Sequence, residues 1–548
     1  MIDSSLKIWP NSKGLAEELG IEIILQIRPL SEKQQQQHPD ENPKQCANCG
    51  AYFTSVFLQT SNPQCPFCGT VVKTGISTDY LIDNFYIDKP LPETTKLFVG
   101  FVFDMDAIAN TQERLKEYFS VALNSISQNE RFFCAVIFPR YISFLRVING
   151  SVKGINFSFS LPLKTISIDF SFLLNEAYDV PVILKHVQSL QSYSNQALHS
   201  IPNLSFLFNS DSSFFKVLMF SSNSQQQGDI TANVSVDWIT CTKSSSHDGL
   251  SINVLDSHIS NNASLQVTTL VRSYFDSNVI FKLHTRIFIG NQLDVNPSNF
   301  HKVSVPNGYS RLIRVSMPRV SFNTNGVPIQ VVSNFILFET QHTPHQMRTV
   351  TSKVFPTSHD YLPILGSLSP GILNLGIEGI REKSNLIPQL LRIYNNKILP
   401  IMAGKRDDDI FFSLIPPLQM LLKFSVSAAV PMQEEFIVDK GKDYLRYTTG
   451  VSFWASQNFL IEELALWPYE VNVALNKPPI VVADSFYEIK VYANENIDDE
   501  SKLGKELRKR KLHRFPVPKV YVVNREKFEL EWPKQENECK TIELMLRQ

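Results

Sequence analysis

Four cysteines near the start of the sequence have the spacing of a metal site. The chain reads Cys46-Ala-Asn-Cys49, then fifteen residues, then Cys65-Pro-Phe-Cys68. Each Cys-x-x-Cys pair closes a tight turn that points two sulfurs at one centre, and the intervening span can fold back as a hairpin. A glycine follows each pair, where such a turn needs positive φ. We therefore predict one structural Zn²⁺ bound by all four thiolates, which leaves no open position for catalysis.

Other chemistry is compatible with the same four residues. They could form two disulfides, and a redox motif of thioredoxin type needs only one Cys-x-x-Cys pair. The other cysteines, Cys134, Cys241 and Cys539, are scattered and odd in number, which favours a reducing compartment and hence the metal. A zinc-ribbon nucleic-acid-binding protein is a further alternative. However, Lys44 is the only basic residue beside the Cys-x-x-Cys pairs, and the formal net charge is −1. Both facts argue against binding to nucleic-acid phosphates.

Composition points to a multi-domain globular protein. The chain has 548 residues, of which 43% are apolar and 19% charged, so several cores can form. The first residues lack a signal-peptide pattern, and no run of about eighteen apolar residues is present. The eleven histidines show no metal-ligand spacing, and no nucleophile elbow occurs. We expect a cytosolic protein without a conventional active site.

A strand–helix–strand pattern follows the cysteines. Strands are predicted at 97–103 and 132–138, the second with a neighbour at 141–147, and the helical spacing between them predicts a helix over 111–126. Three later segments continue the pattern as strands, at 215–220, 234–239 and 250–255. Near-continuous apolar strands of this kind are typical of a parallel sheet that is buried on both faces.

Asp104 and Asp106 follow the first of these strands, at the edge where α/β domains bind ligands. A von Willebrand factor A metal site has Asp-x-Ser-x-Ser at this point, and its oxygens coordinate Mg²⁺. Ile108 replaces one of those hydroxyls. The simpler interpretation is a pair of solvated carboxylates.

The remaining sequence predicts a β-sandwich, then helices, then strands. The sandwich strands are predicted at 263–272, 279–289, 310–320 and 327–339, and an isolated strand at 21–27 could complete that sandwich. Leucines at helical spacing predict a helical segment after residue 362, and strands return at 436–438, 480–491 and 519–523. The basic run 502–514 is either a solvated helix face or a contact for an anionic membrane or acidic partner.

The predicted fold class is multi-domain α+β, and its six parts follow one another along the chain. They are an N-terminal strand segment (1–43), a zinc ribbon (44–75), a von Willebrand A-like α/β trunk (76–258), a β-sandwich (259–357), a helical domain (358–428) and a gelsolin-like domain (429–548).

This order of parts resembles the inner coat of COPII transport vesicles. Three stretches are similar to the family: Leu6–Lys13 around a Trp-Pro pair, the strand pair from Val327 to Thr351, and Pro479–Tyr487. One inner-coat subunit activates the Sar-type GTPase and the other selects cargo. The segment Leu512-His-Arg-Phe-Pro-Val-Pro-Lys519 is similar to the activating subunit's Arg-Phe-Pro-x-Pro-Arg motif. The Trp-Pro opening also favours the activating subunit.

The resemblance implies an arginine finger for GTP hydrolysis. In the family an Ala-Arg-Phe-Leu pattern follows the Pro-x-Pro motif, and the matching stretch here is Arg525-Glu-Lys-Phe-Glu-Leu530. Alignment on Phe528 puts Lys527 at the finger position, with Arg525 two residues earlier. Lysine offers a point charge in place of a planar fork. Stimulated hydrolysis and a catalytically inactive structural paralogue are therefore both open, and ordinary solvated charge is the bland interpretation of both residues.

The resemblance also implies partners and a location. The expected partners are the Sar-type GTPase, the cargo-adaptor subunit as heterodimer partner, the outer-coat cage proteins and the anionic endoplasmic reticulum membrane, with no nucleic acid. The expected location is cytoplasmic, peripheral on endoplasmic reticulum exit sites and COPII vesicles.

Overall fold

The computed structural model describes most of the first two thirds of the chain and parts of the remainder. The described residues are 2–30, 43–59, 64–71, 82–105, 109–159, 169–190, 213–221, 233–241, 251–253, 263–275, 279–290, 293–306, 308–317, 326–338, 344–368, 392–393, 396, 400, 435–437, 452–457, 460–466, 480–484, 488–494, 497–498, 501–512, 517 and 519–526. Within these ranges no helix is long and apolar enough to cross a membrane.

The described elements are mostly strands. In chain order the strands are β1 (Ile2–Ser4), β2 (Trp9–Pro10), β3 (Ile23–Ile27), β4 (Asn84–Pro90), β5 (Lys96–Asp104), β6 (Arg131–Phe138), β7 (Tyr141–Ile148), β8 (Ser151–Ser158), β9 (Asn175–Glu176), β10 (Ser213–Ser221), β11 (Val234–Thr240), β12 (Ser251–Asn253), β13 (Val279–Ile289), β14 (Asp294–Asn296), β15 (Asn299–Pro306), β16 (Tyr309–Ser316), β17 (Gly326–Phe338), β18 (His345–Ser358), β19 (Glu435–Ile437), β20 (Ser452–Gln457), β21 (Leu460–Leu466), β22 (Ile480–Asp484), β23 (Glu488–Tyr492) and β24 (Lys519–Val523). The α-helices are α1 (Lys13–Leu19), α2 (Ala109–Asn124), α3 (Val180–Ser189), α4 (Ala263–Phe275), α5 (Tyr361–Gly366) and α6 (Lys502–Leu512).

The predicted α/β sheet is present. Its strand order is β12-β11-β10-β5-β6-β7-β8. The first five of these strands are parallel and the β6–β7–β8 meander is antiparallel. One face packs on α2, α3 and α4, while the other is covered by a cluster rich in phenylalanine. The strand–helix–strand prediction is confirmed, because apolar runs this continuous are buried on both faces of a parallel sheet.

The strand predicted at 263–272 is wrong, because this segment forms helix α4. Its β-branched residues suggested a strand, yet Ala263, Val267, Leu270, Val271 and Tyr274 recur at helical spacing and are all buried. They pack in the same apolar cluster as α2. Tertiary burial of one helical face therefore outweighs the modest β preference of its residues.

The predicted β-sandwich consists of two sheets around one core. One sheet has the order β1-β3-β16-β14, and the other has the order β15-β13-β17-β18-β2, with β4 pairing β18. Apolar residues from both sheets share a single cluster. Strand β3 pairs antiparallel with both β1 and β16, so the isolated strand predicted at 21–27 does complete the sandwich. Trp9 of the Trp-Pro pair is fully buried and stacks on Phe355.

The carboxyl-terminal strands differ from prediction in two places. The single strand predicted over 480–491 is two antiparallel strands, β22 and β23, so the chain reverses between them. Strand β19, at the position predicted for 436–438, pairs with β16 of the sandwich. The strand at 519–523 is confirmed as β24, which closes the sheet β21-β20-β22-β23-β24.

The predicted helical domain lies largely outside the described residues, including every leucine that suggested it. Only helix α5 and a few positions near 392–400 are described there. Further along, α6 occupies most of the basic run. Its Leu503 and Leu507 are buried, while Lys502, Arg508 and Lys509 are exposed.

Candidate metal centre

Two equivalent backbone turns position the four cysteines. In the first turn Gly50 N–H donates to Cys46 C=O, and Cys46 N–H donates to Ala51 C=O, both at 2.8 Å. The second turn repeats these bonds between Gly69, Cys65 and Thr70, also at 2.8 Å. The two glycines have φ of 78° and 71°, which a residue with a side chain rarely adopts. Local sequence alone therefore dictates both turns.

The four sulfurs form a compact cluster. Cys46 Sγ lies 3.6 Å from Cys68 Sγ, Cys49 Sγ lies 3.6 Å from Cys65 Sγ, and all four lie within 4.8 Å of one another. Sulfurs placed tetrahedrally at about 2.3 Å from Zn²⁺ are about 3.8 Å apart. A disulfide needs about 2.05 Å, so the two-disulfide alternative does not fit, and the thiols are free. The four cysteines can hold one metal ion, and the arrangement is compatible with a zinc ribbon.

Burial and hydrogen bonding shift the pKa values of three of the four thiols in different directions. Burial raises the pKa of the Cys65 thiol and raises that of Cys49 to about 11. At Cys68 burial also acts to raise the pKa, but hydrogen bonds from the Thr70 hydroxyl and backbone and from Asn48 outweigh it and lower the pKa to about 6. A bound metal must therefore displace protons from Cys49 and Cys65. Thr70 and Asn48, which sequence reasoning missed, are the residues whose hydrogen bonds lower the pKa of Cys68.

The ribbon is docked on the sandwich by a buried amide. Gln330, in the middle of β17, is fully buried. Its Oε1 accepts from Tyr52 N–H at 2.7 Å, and its Nε2 donates to Tyr52 C=O at 2.9 Å and to Ser352 Oγ at 3.0 Å. The side chain thus satisfies both backbone groups of one ribbon residue. No sequence signal indicated this contact, because Gln330 and Tyr52 are far apart in the chain.

Aromatic packing completes the docking. The ribbon's Phe67 lies 5.9 Å from Phe288 of β13, and Tyr52 packs edge-on against Phe85 of β4 at 5.5 Å between ring centroids. These rings belong to one apolar cluster that joins the ribbon to the outer face of the β13-β17-β18-β4 sheet. The ribbon therefore extends its small apolar core with side chains of the sandwich sheet.

Replacing Gln330 with methionine should loosen the ribbon. Methionine has a similar shape, but it leaves two buried backbone groups of Tyr52 without a partner, which costs about 2–6 kcal/mol at about 1–3 kcal/mol per unsatisfied group. We expect faster metal loss to a chelator and faster hydrogen exchange at the Tyr52 amide. Gln346→Met, at an exposed position of β18, is the matched control and should change neither rate. Equal rates in both variants would contradict the docking role.

The other predicted site residues are not brought to the metal cluster. Asp104 is buried and its Oδ2 accepts from Ser221 Oγ at 2.7 Å, so the solvated-carboxylate interpretation is wrong for this residue. Asp106 and Ile108 lie outside the described residues. Arg525 follows β24 and is half-buried, whereas Lys527 and most of the motif before it fall outside the described part.

Comparison with known proteins finds a likeness in structure but none in sequence. No protein-family model matches the chain, and no curated protein matches it. Among solved structures, the chain is similar to the crystal structure of the human COPII-coat protein Sec24c, with a TM-score of 0.56 and 11% sequence identity. The alignment covers 96% of this chain and 89% of Sec24c. The chain therefore has a fold similar to that of Sec24c over nearly its whole length.

Proposed function

We propose that this protein is an inner-coat subunit of COPII type that acts in transport from the endoplasmic reticulum to the Golgi. The observation that carries the proposal is the fold likeness to a COPII-coat protein over 96% of the chain. The four-thiol cluster supports it, and we assign one structural Zn²⁺ to that cluster because its sulfurs have near-tetrahedral spacing.

In this proposal the Sar-type GTPase recruits the protein to exit sites on the endoplasmic reticulum. The cargo-adaptor subunit is its partner, and cage proteins of the outer coat assemble over both. Helix α6 supports contact with an anionic membrane. It buries Leu503 and Leu507, while Lys502, Arg508 and Lys509 remain exposed. Clustered surface lysines and arginines attract anionic lipids at about 1 kcal/mol each.

The test is recruitment to anionic liposomes. We expect the protein to co-sediment with them when the Sar-type GTPase is loaded with GTP, and to stay in the supernatant when it is loaded with GDP. Raised salt should weaken the binding, since exposed charges are screened. Absence of co-sedimentation in both nucleotide states would overturn the proposal.

Within this function, stimulation of GTP hydrolysis is the finer proposal, with Lys527 or Arg525 as the finger. An arginine finger contributes about 10³–10⁵ in rate, and lysine lacks its planar fork. In single-turnover assays we therefore expect partial stimulation that Lys527→Ala removes and Lys527→Arg raises by about tenfold or more. Lys185→Arg, exposed on α3, is the matched control. If Arg525→Ala alone abolishes stimulation, Arg525 is the finger.

The second candidate is a catalytically inactive coat paralogue that only scaffolds. The presence of lysine where the resembling family has arginine favours it. In that case the liposome assay shows recruitment, while the unmutated protein leaves the rate of hydrolysis unchanged.

A further inference from the structure

Strand register places a row of polar side chains across the outer face of the sandwich. His301 of β15 lies opposite His284 of β13, which lies opposite Asn334 of β17, which lies opposite Arg348 of β18. Directly opposite residues share a face of the sheet, and residues two apart on one strand do as well. Arg286 therefore joins the same face, one step along β13. We call these five residues the imidazole–arginine row.

The side chains of this row are held in place. The two imidazole rings stack in parallel, with 4.2 Å between centroids and 3° between planes. Arg348 donates from Nε to Asn334 Oδ1 at 2.5 Å and from Nη1 to Tyr52 OH at 2.6 Å. The Arg286 guanidinium lies 4.6 Å from the centre of the Phe288 ring. Restraint of this kind lowers the entropy lost when a ligand binds.

No acidic side chain opposes the row within the described part of the chain. None of the ion pairs found there involves His284, His301, Arg286 or Arg348. The nearest carboxylate along the register, Asp88, lies opposite Met347 and so points to the other face, where it pairs with His345 at 2.6 Å. Within the described residues, Arg286 and Arg348 therefore have no carboxylate partner.

The His284 imidazole resists protonation. Burial, the neighbouring His301 and the Arg286 charge all lower the pKa of His284. Arg348 and the exposed Lys89, which lies opposite Gln346 one step along the same face, are further cations there, and Asn334 is neutral. An anion placed over the rings would offset this repulsion and favour the protonated form. A dianion would do so more effectively than a single carboxylate, since it carries the larger charge.

We propose that the imidazole–arginine row binds the phosphate monoester of a phosphorylated segment in a partner protein. Such a group carries a charge of about −1.5 to −2 at pH 7, and guanidinium forks match its oxygens. The ribbon covers the adjacent positions of the sheet, where Phe288, Val332 and Val350 belong to the apolar cluster that joins the ribbon to the sheet. The row therefore lies on the sheet directly beside the docked ribbon. A surface of this shape suits an extended peptide chain better than a flat membrane. The proposal does not depend on the coat function.

Fluorescence anisotropy with the full-length, metal-loaded chain tests this site. The probe is a labelled Gly/Ser peptide with one phosphoserine, compared with its unphosphorylated form. We expect selective binding of the phosphopeptide at about pH 7.5, where its phosphate is mostly a dianion. His284→Gln and Arg286→Gln should each weaken it about tenfold to a hundredfold, as expected when a hydrogen bond to a charged group is lost.

Controls separate this site from general charge. Arg140→Gln removes one exposed charge from the trunk and should leave affinity unchanged, while His301→Gln, also exposed, should weaken binding as His284→Gln does. Inorganic phosphate should compete with the peptide. Equal binding of both peptides, or unchanged affinity in all three row variants with unchanged melting temperatures, would overturn the proposal. Binding through these residues to phosphatidylinositol phosphate vesicles, without phosphopeptide binding, would overturn it too.

Discussion

A chain carrying Cys65→Ser should bind no zinc at the four-thiol site and lose the ribbon's local fold. Serine offers a neutral hydroxyl in place of a thiolate, and three sulfurs leave the tetrahedron open. Structural zinc contributes roughly 10–16 kcal/mol to the folding of such units. The loss should be local, because the sandwich has its own core. Metal analysis should fall from one zinc per chain to none, and limited proteolysis should begin to cut within 43–71.

Cys134→Ala is the matched control, since Cys134 is a buried free cysteine in the α/β sheet. This variant should retain one zinc per chain.

Acidification should have the same effect as Cys65→Ser, the loss of zinc from the four-thiol site. Burial raises the pKa values of the Cys49 and Cys65 thiols. Protons therefore compete with the metal, and its affinity falls as pH falls. Full zinc occupancy in Cys65→Ser, or an affinity independent of pH, would contradict the assignment.

The second large effect is expected at a buried charge network in the α/β sheet. Lys216 of β10 lies 2.9 Å from Asp237 Oδ2 of β11, and its Nζ also donates to Ser235 Oγ at 2.8 Å. Tyr274 of α4 donates its hydroxyl to the same Oδ2 at 2.5 Å. The Lys216 and Asp237 side chains are only 5% and 1% exposed. Burial and the Asp237 charge both raise the pKa of Tyr274 well above 10, so its hydroxyl stays a donor.

Asp237→Ala should lower the free energy of unfolding by about 3–5 kcal/mol, because it leaves the Lys216 ammonium buried without a counterion. Tyr274→Phe removes only one hydrogen bond and should cost about 1–2 kcal/mol. Urea unfolding measures the loss of unfolding free energy in both variants, and hydrogen exchange in β10 and β11 shows where the structure is destabilised. The double variant Lys216→Met/Asp237→Leu should recover much of the loss, since apolar pairs can replace buried ion pairs. A double variant as unstable as Asp237→Ala would show that shape rather than charge matters here.

Several elements could be predicted because their signals are local. The knuckles need only two cysteines and a glycine within five residues, and the buried strands β5 and β6 need only a continuous apolar run. Helix α4 was missed although its buried positions recur at helical spacing, since β-branched residues dominate that stretch and only packing on the sheet reveals which face is buried. The reversal between β22 and β23 was missed because β-branched residues recur on both sides of the three residues that separate the two strands.

The four-thiol cluster and the broad α+β class could be predicted from sequence, because both depend on residue types at short, fixed spacings. The contacts around the four-thiol cluster and elsewhere between distant segments could be known only from the tertiary structure. It placed Gln330 beneath Tyr52, set Lys216 against Asp237 and stacked His284 on His301. Each of these contacts joins different strands, or a strand and a loop, and the register that aligns them comes from burial of whole sheet faces. A register of that kind has no signature in any short stretch of sequence.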